Sequence, residues 1–505
     1  MKKKSIITGT LALLLLLLMP MLAFAEEAGG GIDALVNKIF HSVLGPFVSL
    51  IFFSVSINGV SFPLIVAWLL IAAVVLSIKF EFVQFKGVKH SIDLLRGAYS
   101  DPDNPGEVSH FQALCTALSG TVGLGNIAGV AVAVSLGGPG ATFWMIIAGL
   151  FGMAAKFTEC TLAVKYRNEY PDGTVSGGPM YYLSKGMSDK GKPRLGKAMG
   201  VFFAVMCIFG AMGGGNMFQG NQAHQMFSST FGLFVDTGWL FGLILAILVG
   251  AVIIGGIKSI AKVTDKIVPF MAILYVGTAL IILLVNIAQI PAAIGVVLAG
   301  AFAPKAIAGG IVGVLIQGLK RAAFSNEAGV GSAAIAHAAV RTKEPLTEGY
   351  VAMLGPFIDT VIICTMTAMV IVITGAYNIE GLSGVALTSS AFQSVFPWFG
   401  TLLAGAVLLF AFSTMISWSY YGLKCWTYLF GESKGSEISY KVIFCIFVVI
   451  GCSASLGPVI DFSDAAIFAM SITNVIGLYM FMGELKVDMK DYQARLASGE
   501  IKRYK

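Results

Sequence analysis

The chain has 505 residues, of which 57% are hydrophobic and only 12% charged, with 60 glycines and a mean hydropathy of +0.84. A soluble globular protein carries about twice that charged fraction, so the composition excludes an ordinary soluble fold and points to an all-α integral membrane protein. The net charge of +6 then bears on membrane topology, not on nucleic acid.

The opening stretch "MKKKSIITGTLALLLLLLMPMLAFAEEAGG" joins a lysine-rich start to a leucine core and to Ala23-Phe24-Ala25 before two acids. That pattern predicts a cleaved signal peptide over 1–25. Residues 26–108 then hold an extracytoplasmic segment, a first transmembrane helix and a cytoplasmic loop. Within them, 31–57 is interrupted by Gly45-Pro46 and reads as an interfacial or half-inserted segment. Apolar runs near 63–80, 109–135, 141–164, 200–228, 238–256, 267–288, 308–338, 350–375, 399–428, 440–456 and 462–482 predict about eleven helices. The seven cysteines all fall in or at the ends of these runs with no C-x-x-C, and read as small buried hydrophobes.

Basic residues crowd every second loop. Lys79, Lys86, Lys89 and Arg96 form one group; Lys165, Arg167, Lys185, Lys190, Lys192, Arg194 and Lys197 the next; then come Lys258, Lys262 and Lys266, then Arg341 and Lys343, and then the tail 483–505. Lys305 is the exception among the intervening loops. The positive-inside rule therefore predicts a mature N-terminus outside and a cytoplasmic tail.

Two octets stand out inside apolar runs: "SGTVGLGN" at 119–126 and "SNEAGVGS" at 325–332. Aligned at an offset of 206, Ala117, Ser119, Gly123, Gly125 and Ala128 match Ala323, Ser325, Gly329, Gly331 and Ala334. Five spans separate the two starts, so 109–288 and 308–482 read as five-helix units of opposite orientation, an inverted repeat with paired broken helices. A broken helix frees N–H groups at the start of one half and C=O groups at the end of the other, and in hydrocarbon these must meet protein, water or ligand. The positive N–H ends suit a carboxylate and the C=O ends a small cation, which fits a zwitterionic amino acid with Na⁺. On this reading Gly125 and Gly331 face ligand, whereas Gly149 is a packing glycine.

Further polar positions gather at membrane depth. Asn216, Gln219 and Gly220 share one helical face, as do Ser413, Thr414, Ser417, Trp418 and Tyr421. Glu327, an acid deep in a span, is a candidate for cation binding or for a hydrogen bond to loosened backbone. Lys156 and Glu159 have i, i+3 spacing and suit a neutralised pair. His224 and His337 read as lone structural histidines. A membrane-embedded enzyme would need paired acids, or a nucleophile with its base, inside the bilayer, and a channel would need rings of like charge or a filter repeat. Neither pattern is present.

The blocks "TVGLGNIAGVA" (121–131), "GGPGATFWMIIAG" (137–149) and "RAAFSNEAGVGSA" (321–333) resemble the bacterial alanine or glycine:cation symporter family over residues 60–485 or so, with Ile146 where a second tryptophan is usual. The resemblance implies a LeuT-like fold, a 5+5 inverted repeat whose first and sixth core helices are broken. It implies Na⁺-coupled uptake of small neutral amino acids across the bacterial plasma membrane, or H⁺-coupled uptake as the alternative, with no cofactor. It carries over Thr121, Gly123, Gly125, Asn126, Gln219, Phe324, Thr414 and Trp418 as substrate contacts. Ser413 and Thr414, with backbone near Gly120, are the Na⁺ ligands expected on this reading.

Overall fold

The computed structural model describes residues 45–57, 60–302, 310–379, 381–382, 384–453 and 457–504. The expected signal peptide lies outside these described residues, as does the first part of the segment 31–57. Gly45-Pro46 opens a helix, Gly45–Ile51, where an interruption was expected. Proline suits a first turn because its missing N–H would be unpaired there anyway. A short antiparallel hairpin, Ser54–Ile57 against Val60–Pro63, then turns the chain into the apolar helix Leu64–Lys79.

Each of the eleven expected runs has a helical counterpart, and among the described residues seven unbroken helices are long and apolar enough by themselves to cross a membrane. The first broken span is the pair His110–Thr121 and Gly125–Gly137, bent by 55°. Its start is fixed by a capping box in which the Ser109 hydroxyl takes the Gln112 N–H and the Gln112 side chain takes that of Ser109. The second is Gly310–Asn326 followed by Ser332–His337. Between its halves Glu327, Gly329 and Gly331 have φ of +52°, +83° and +93°, so the chain reverses hand and the helix cannot continue.

Several boundaries differ from the sequence reading. An additional apolar helix, Ile287–Phe302, follows the first repeat, where hydropathy alone suggested a loop. It packs on Ala141–Lys165, the Trp144 indole donating to the Ala301 carbonyl at 3.2 Å. The last helix, Gly457–Ser498, runs well past 482. Its extension is docked: Lys165 pairs with Glu484 and Asp488 at 2.5 Å, and Arg495 with Glu344 at 2.7 Å. Apolar periodicity missed it because this stretch is polar and held by ion pairs.

Among the described residues, three spans contain π-helical turns, at Gly125–Gly129, Gly213–Met217 and Phe357–Cys364. Such a turn admits one extra residue and re-aims the side chains that follow. Here the turns carry or adjoin Asn126, Gln219 and Asp359. Close approach of helices, not apolar burial, supplies stability between spans in lipid. Gly215 illustrates it: a Cβ there would sit 2.3 Å from the Trp418 ring, so only glycine lets the indole come this close to the helix.

Candidate substrate and cation site

The first half-helix ends against Phe399–Phe430, and this neighbour meets its free carbonyls. Thr414 Oγ1 donates to the Ser119 carbonyl at 3.0 Å and Trp418 Nε1 to the Gly120 carbonyl at 3.1 Å, while the Ser119 hydroxyl donates to the Ser413 carbonyl at 2.5 Å. Thr414, Trp418 and the backbone near Gly120 are thus brought together. The Ser413 hydroxyl is not: it turns to the Phe410 carbonyl and the Met271 sulphur, leaving only its carbonyl on the break. Thr121 closes the half-helix with its hydroxyl turned back to Ala117 and Leu118.

Gly123 keeps a gap open. A Cβ there would lie 3.1 Å from Thr414 Oγ1 and 3.9 Å from Gln219 Oε1. Gln219 is 7% exposed and donates through Nε2 to the Gly214 carbonyl, yet its Oε1 has no hydrogen-bond partner; the Ser417 and Tyr421 hydroxyls are also buried and unpartnered. Buried polar atoms without partners are rare and costly, and two of these lie beside the break, Gln219 Oε1 next to Gly123 and the Tyr421 hydroxyl next to Gly120, which marks a place built for a polar guest or water.

The opposite wall comes from the second broken span, where Phe324 lies 3.7 Å from the Cβ position of Gly125. Asn126, expected to touch substrate, is committed to protein instead. Its Oδ1 accepts the Gly123 N–H at 2.8 Å, and its Nδ2 donates to Asp359 Oδ1 at 2.7 Å and to Ser325 Oγ at 3.1 Å. Asp359 is the residue that sequence reasoning missed. It is fully buried and also accepts from Ser325 at 2.7 Å and from Thr360 at 2.8 Å, so one carboxylate joins the two breaks. The available signal was a single acid in the apolar run "PFIDTVIIC".

The second break is saturated by protein. Lys156 pairs with Glu159 at 3.1 Å, as their spacing predicted, and donates to the Glu327 carbonyl at 3.2 Å. Glu159 accepts the Gly329 N–H, Asn474 donates to the Gly329 carbonyl, and the Glu327 carboxylate accepts from the Ser332 hydroxyl. Gly331 faces Pro179 and Asn474, not open space, which corrects its reading as a ligand-facing glycine. Gly149 is a packing glycine, tight against Thr360 at 3.0 Å. The two octets look alike but do different work: the second is a structural joint and the first borders the unpartnered polar atoms.

A cavity of about 920 Å³ is lined by Gln222, Gln225, Ser229, Ser389, Ser390 and Gln393 among others, with no charged side chain among the described residues of its wall. Gln222 stands one helical turn from Gln219, so the cavity leads toward the first break. The helix Gly384–Gln393 forms its rim and rests on the broken span through Thr388, which donates to the Ile127 carbonyl at 3.0 Å.

Known proteins match this architecture. The sodium:alanine symporter family model covers residues 49–505. The sodium/alanine symporter AgcS of Methanococcus maripaludis is 43% identical over 85% of this chain and 94% of its own length. The probable sodium/glutamine symporter GlnT of Bacillus subtilis is 36% identical over 86% and 89%. Among solved structures, the LeuT-fold transporter MhsT in complex with L-phenylalanine aligns at a TM-score of 0.53 with 16% identity, over 75% of this chain and 89% of that one, a likeness that bears on fold alone. A multi-pass helical chain with a broken first core helix, matched along nearly its whole length, is thus a cation-coupled amino-acid transporter, not an enzyme, and it belongs to the sodium:alanine symporter family.

Proposed function

We propose that this protein imports alanine or glycine with Na⁺ across the plasma membrane, with 109–288 and 308–482 acting as inverted repeats around a site at the first break. The observation that carries this reading is the gap at Gly123, bordered by Thr414 and the free acceptor of Gln219, one turn below a neutral polar cavity. Gln219 Oε1 accepts from the substrate ammonium, and the partial positive charge of the second half-helix draws its carboxylate. Phe324 and Trp418 wall the gap against long side chains, which favours the substrate named for AgcS over that named for GlnT. The loop distribution of lysine and arginine puts the tail in the cytoplasm and the 920 Å³ cavity outside.

Na⁺ sits between the Ser119, Gly120 and Ser413 carbonyls and Thr414 Oγ1, displacing the hydrogen bond that Thr414 now makes. Thr414→Ala removes a ligand in a dry site, where unmet coordination is costly. Apparent Na⁺ affinity is expected to fall about tenfold or more with insertion unchanged. Unaltered Na⁺ dependence in purified Thr414→Ala protein would move the cation elsewhere. The function itself is tested by alanine counterflow in proteoliposomes with Na⁺ replaced by choline. Loss of counterflow in choline is the expected result, and equal rates in both salts reject Na⁺ coupling.

A further inference from the structure

Two histidines at the tail-side ends of the broken spans meet on one carboxylate. His110 is the first residue of His110–Thr121, and its Nδ1 lies 2.5 Å from Glu348 Oε2; His337 is the last of Ser332–His337, and its Nδ1 lies 2.5 Å from Glu348 Oε1. The side chains of His110, His337 and Glu348 are 4%, 2% and 0% exposed. The expectation that His337 is solitary is thereby corrected. Glu348 stands in the first turn of the helix beginning at Pro345, so a third span holds the other two, one carboxylate oxygen to each.

The adjoining backbone is tied in the same place. The N–H groups of Glu107 and Val108 donate to the Ala339 carbonyl at 2.8 and 3.2 Å, and the Arg341 N–H donates to the Val108 carbonyl at 2.8 Å. Arg167 donates to the carbonyls of Ala338, Val340 and Thr342 at 3.1, 2.6 and 2.9 Å. One face therefore carries the wide cavity beside the first break, while the other is closed where the two broken spans come together. His110 also lines a tail-side cavity of about 480 Å³, room enough for water to reach the joint.

We propose that Glu348 is a positioning residue of the transport cycle, the latch that holds the tail-side ends of both broken spans together and keeps the exit shut until it releases one or both histidines. A carboxylate with one oxygen on each imidazole has two discrete states. Engaged, both its charge and its acceptors are met inside the protein; disengaged, it requires water, which enters only if the spans part. Arg167 and the backbone bridge bind loop to loop, whereas Glu348 binds both moving helices to a third one. The proposal rests on the transport reading given above, and its test is read without substrate so that the two fail separately.

Single cysteines are placed at Ala339, fully buried in the closed joint, and at Ser390, in the wall of the 920 Å³ cavity. Labelling rates by a soluble thiol reagent are read site by site by mass spectrometry on purified protein. With Glu348→Gln, which keeps the shape and removes the charge, labelling at position 339 is expected to rise roughly tenfold or more while labelling at 390 slows, because the population moves from one opening to the other. Glu348→Asp keeps the charge but is one methylene short of spanning both imidazoles, so an intermediate shift is expected. It also decides the matter if the glutamine variant does not fold. Protection at 339 unchanged in the folded variants overturns the latch. So does equally faster labelling at both positions, the mark of general loosening.

Discussion

Gly331→Ala is expected to unfold or strongly destabilise the protein, whereas Gly125→Ala leaves it folded and abolishes substrate binding. At Gly331 the backbone has φ +93°, and an added Cβ would lie 2.7 Å from the Pro179 ring and 3.0 Å from Asn474. Backbone strain and overpacking each cost about 1–3 kcal/mol, and together they consume a large share of a typical stability. At Gly125 the added methyl meets Phe324 and the Ser325 Cα at 3.7 Å, an ordinary contact, and φ is not positive. Alanine there changes stability by about 1 kcal/mol or less. That methyl nevertheless projects between the two broken spans, toward the wall assigned to substrate. Melting curves with and without alanine separate the effects, since a ligand of the folded state alone raises the melting temperature by mass action. A wild-type alanine shift in Gly125→Ala protein would remove the substrate from this break.

Asp359→Asn is expected to be the costliest polar substitution at the site. The carboxylate accepts from Asn126, Ser325 and Thr360, and bonds to a charged acceptor contribute about 1.5–3 kcal/mol each. An asparagine turns an NH₂ toward at least one of these donors and leaves it unmet. A lower melting temperature follows, together with looser coupling of the two breaks. A buried carboxylate held only by neutral donors also suits a cation, so Na⁺-dependent stabilisation measured in this variant and in Thr414→Ala discriminates between the two positions. If only Asp359→Asn loses the Na⁺ shift, the cation belongs beside Asn126 and Ser325. If only Thr414→Ala loses it, Asp359 serves to join the breaks. Loss in both means that cation binding needs both positions, as their link through Asn126 allows.

Hydropathy and the repeated octet sufficed to read the class of the molecule. Runs of apolar residues long enough to span lipid and glycine clusters in two spans are properties of local composition, and each has a direct physical cause in the bilayer. The Lys156–Glu159 pair was legible for the same reason, being neighbours on one turn. Ile287–Phe302 and the extension of the last helix to Ser498 were not, because one follows a span almost without a break and the other is polar and depends on Lys165 and Glu344 from elsewhere in the chain.

Which octet works on the ligand was decided only in three dimensions. "SGTVGLGN" and "SNEAGVGS" share a Gly-x-Gly pair at the same place, but the second is filled by Lys156, Glu159 and Asn474, whose contacts with it span 145 to 171 positions of sequence. Asn126 passes from expected substrate contact to structural bridge because Asp359, 233 positions away, takes its amide. His110 and His337 become one unit through Glu348 for the same reason. A sequence determines by itself what lies within a few turns along the chain, such as span and break. The partner that satisfies a buried polar group comes from another helix, and only the packing of helices selects it.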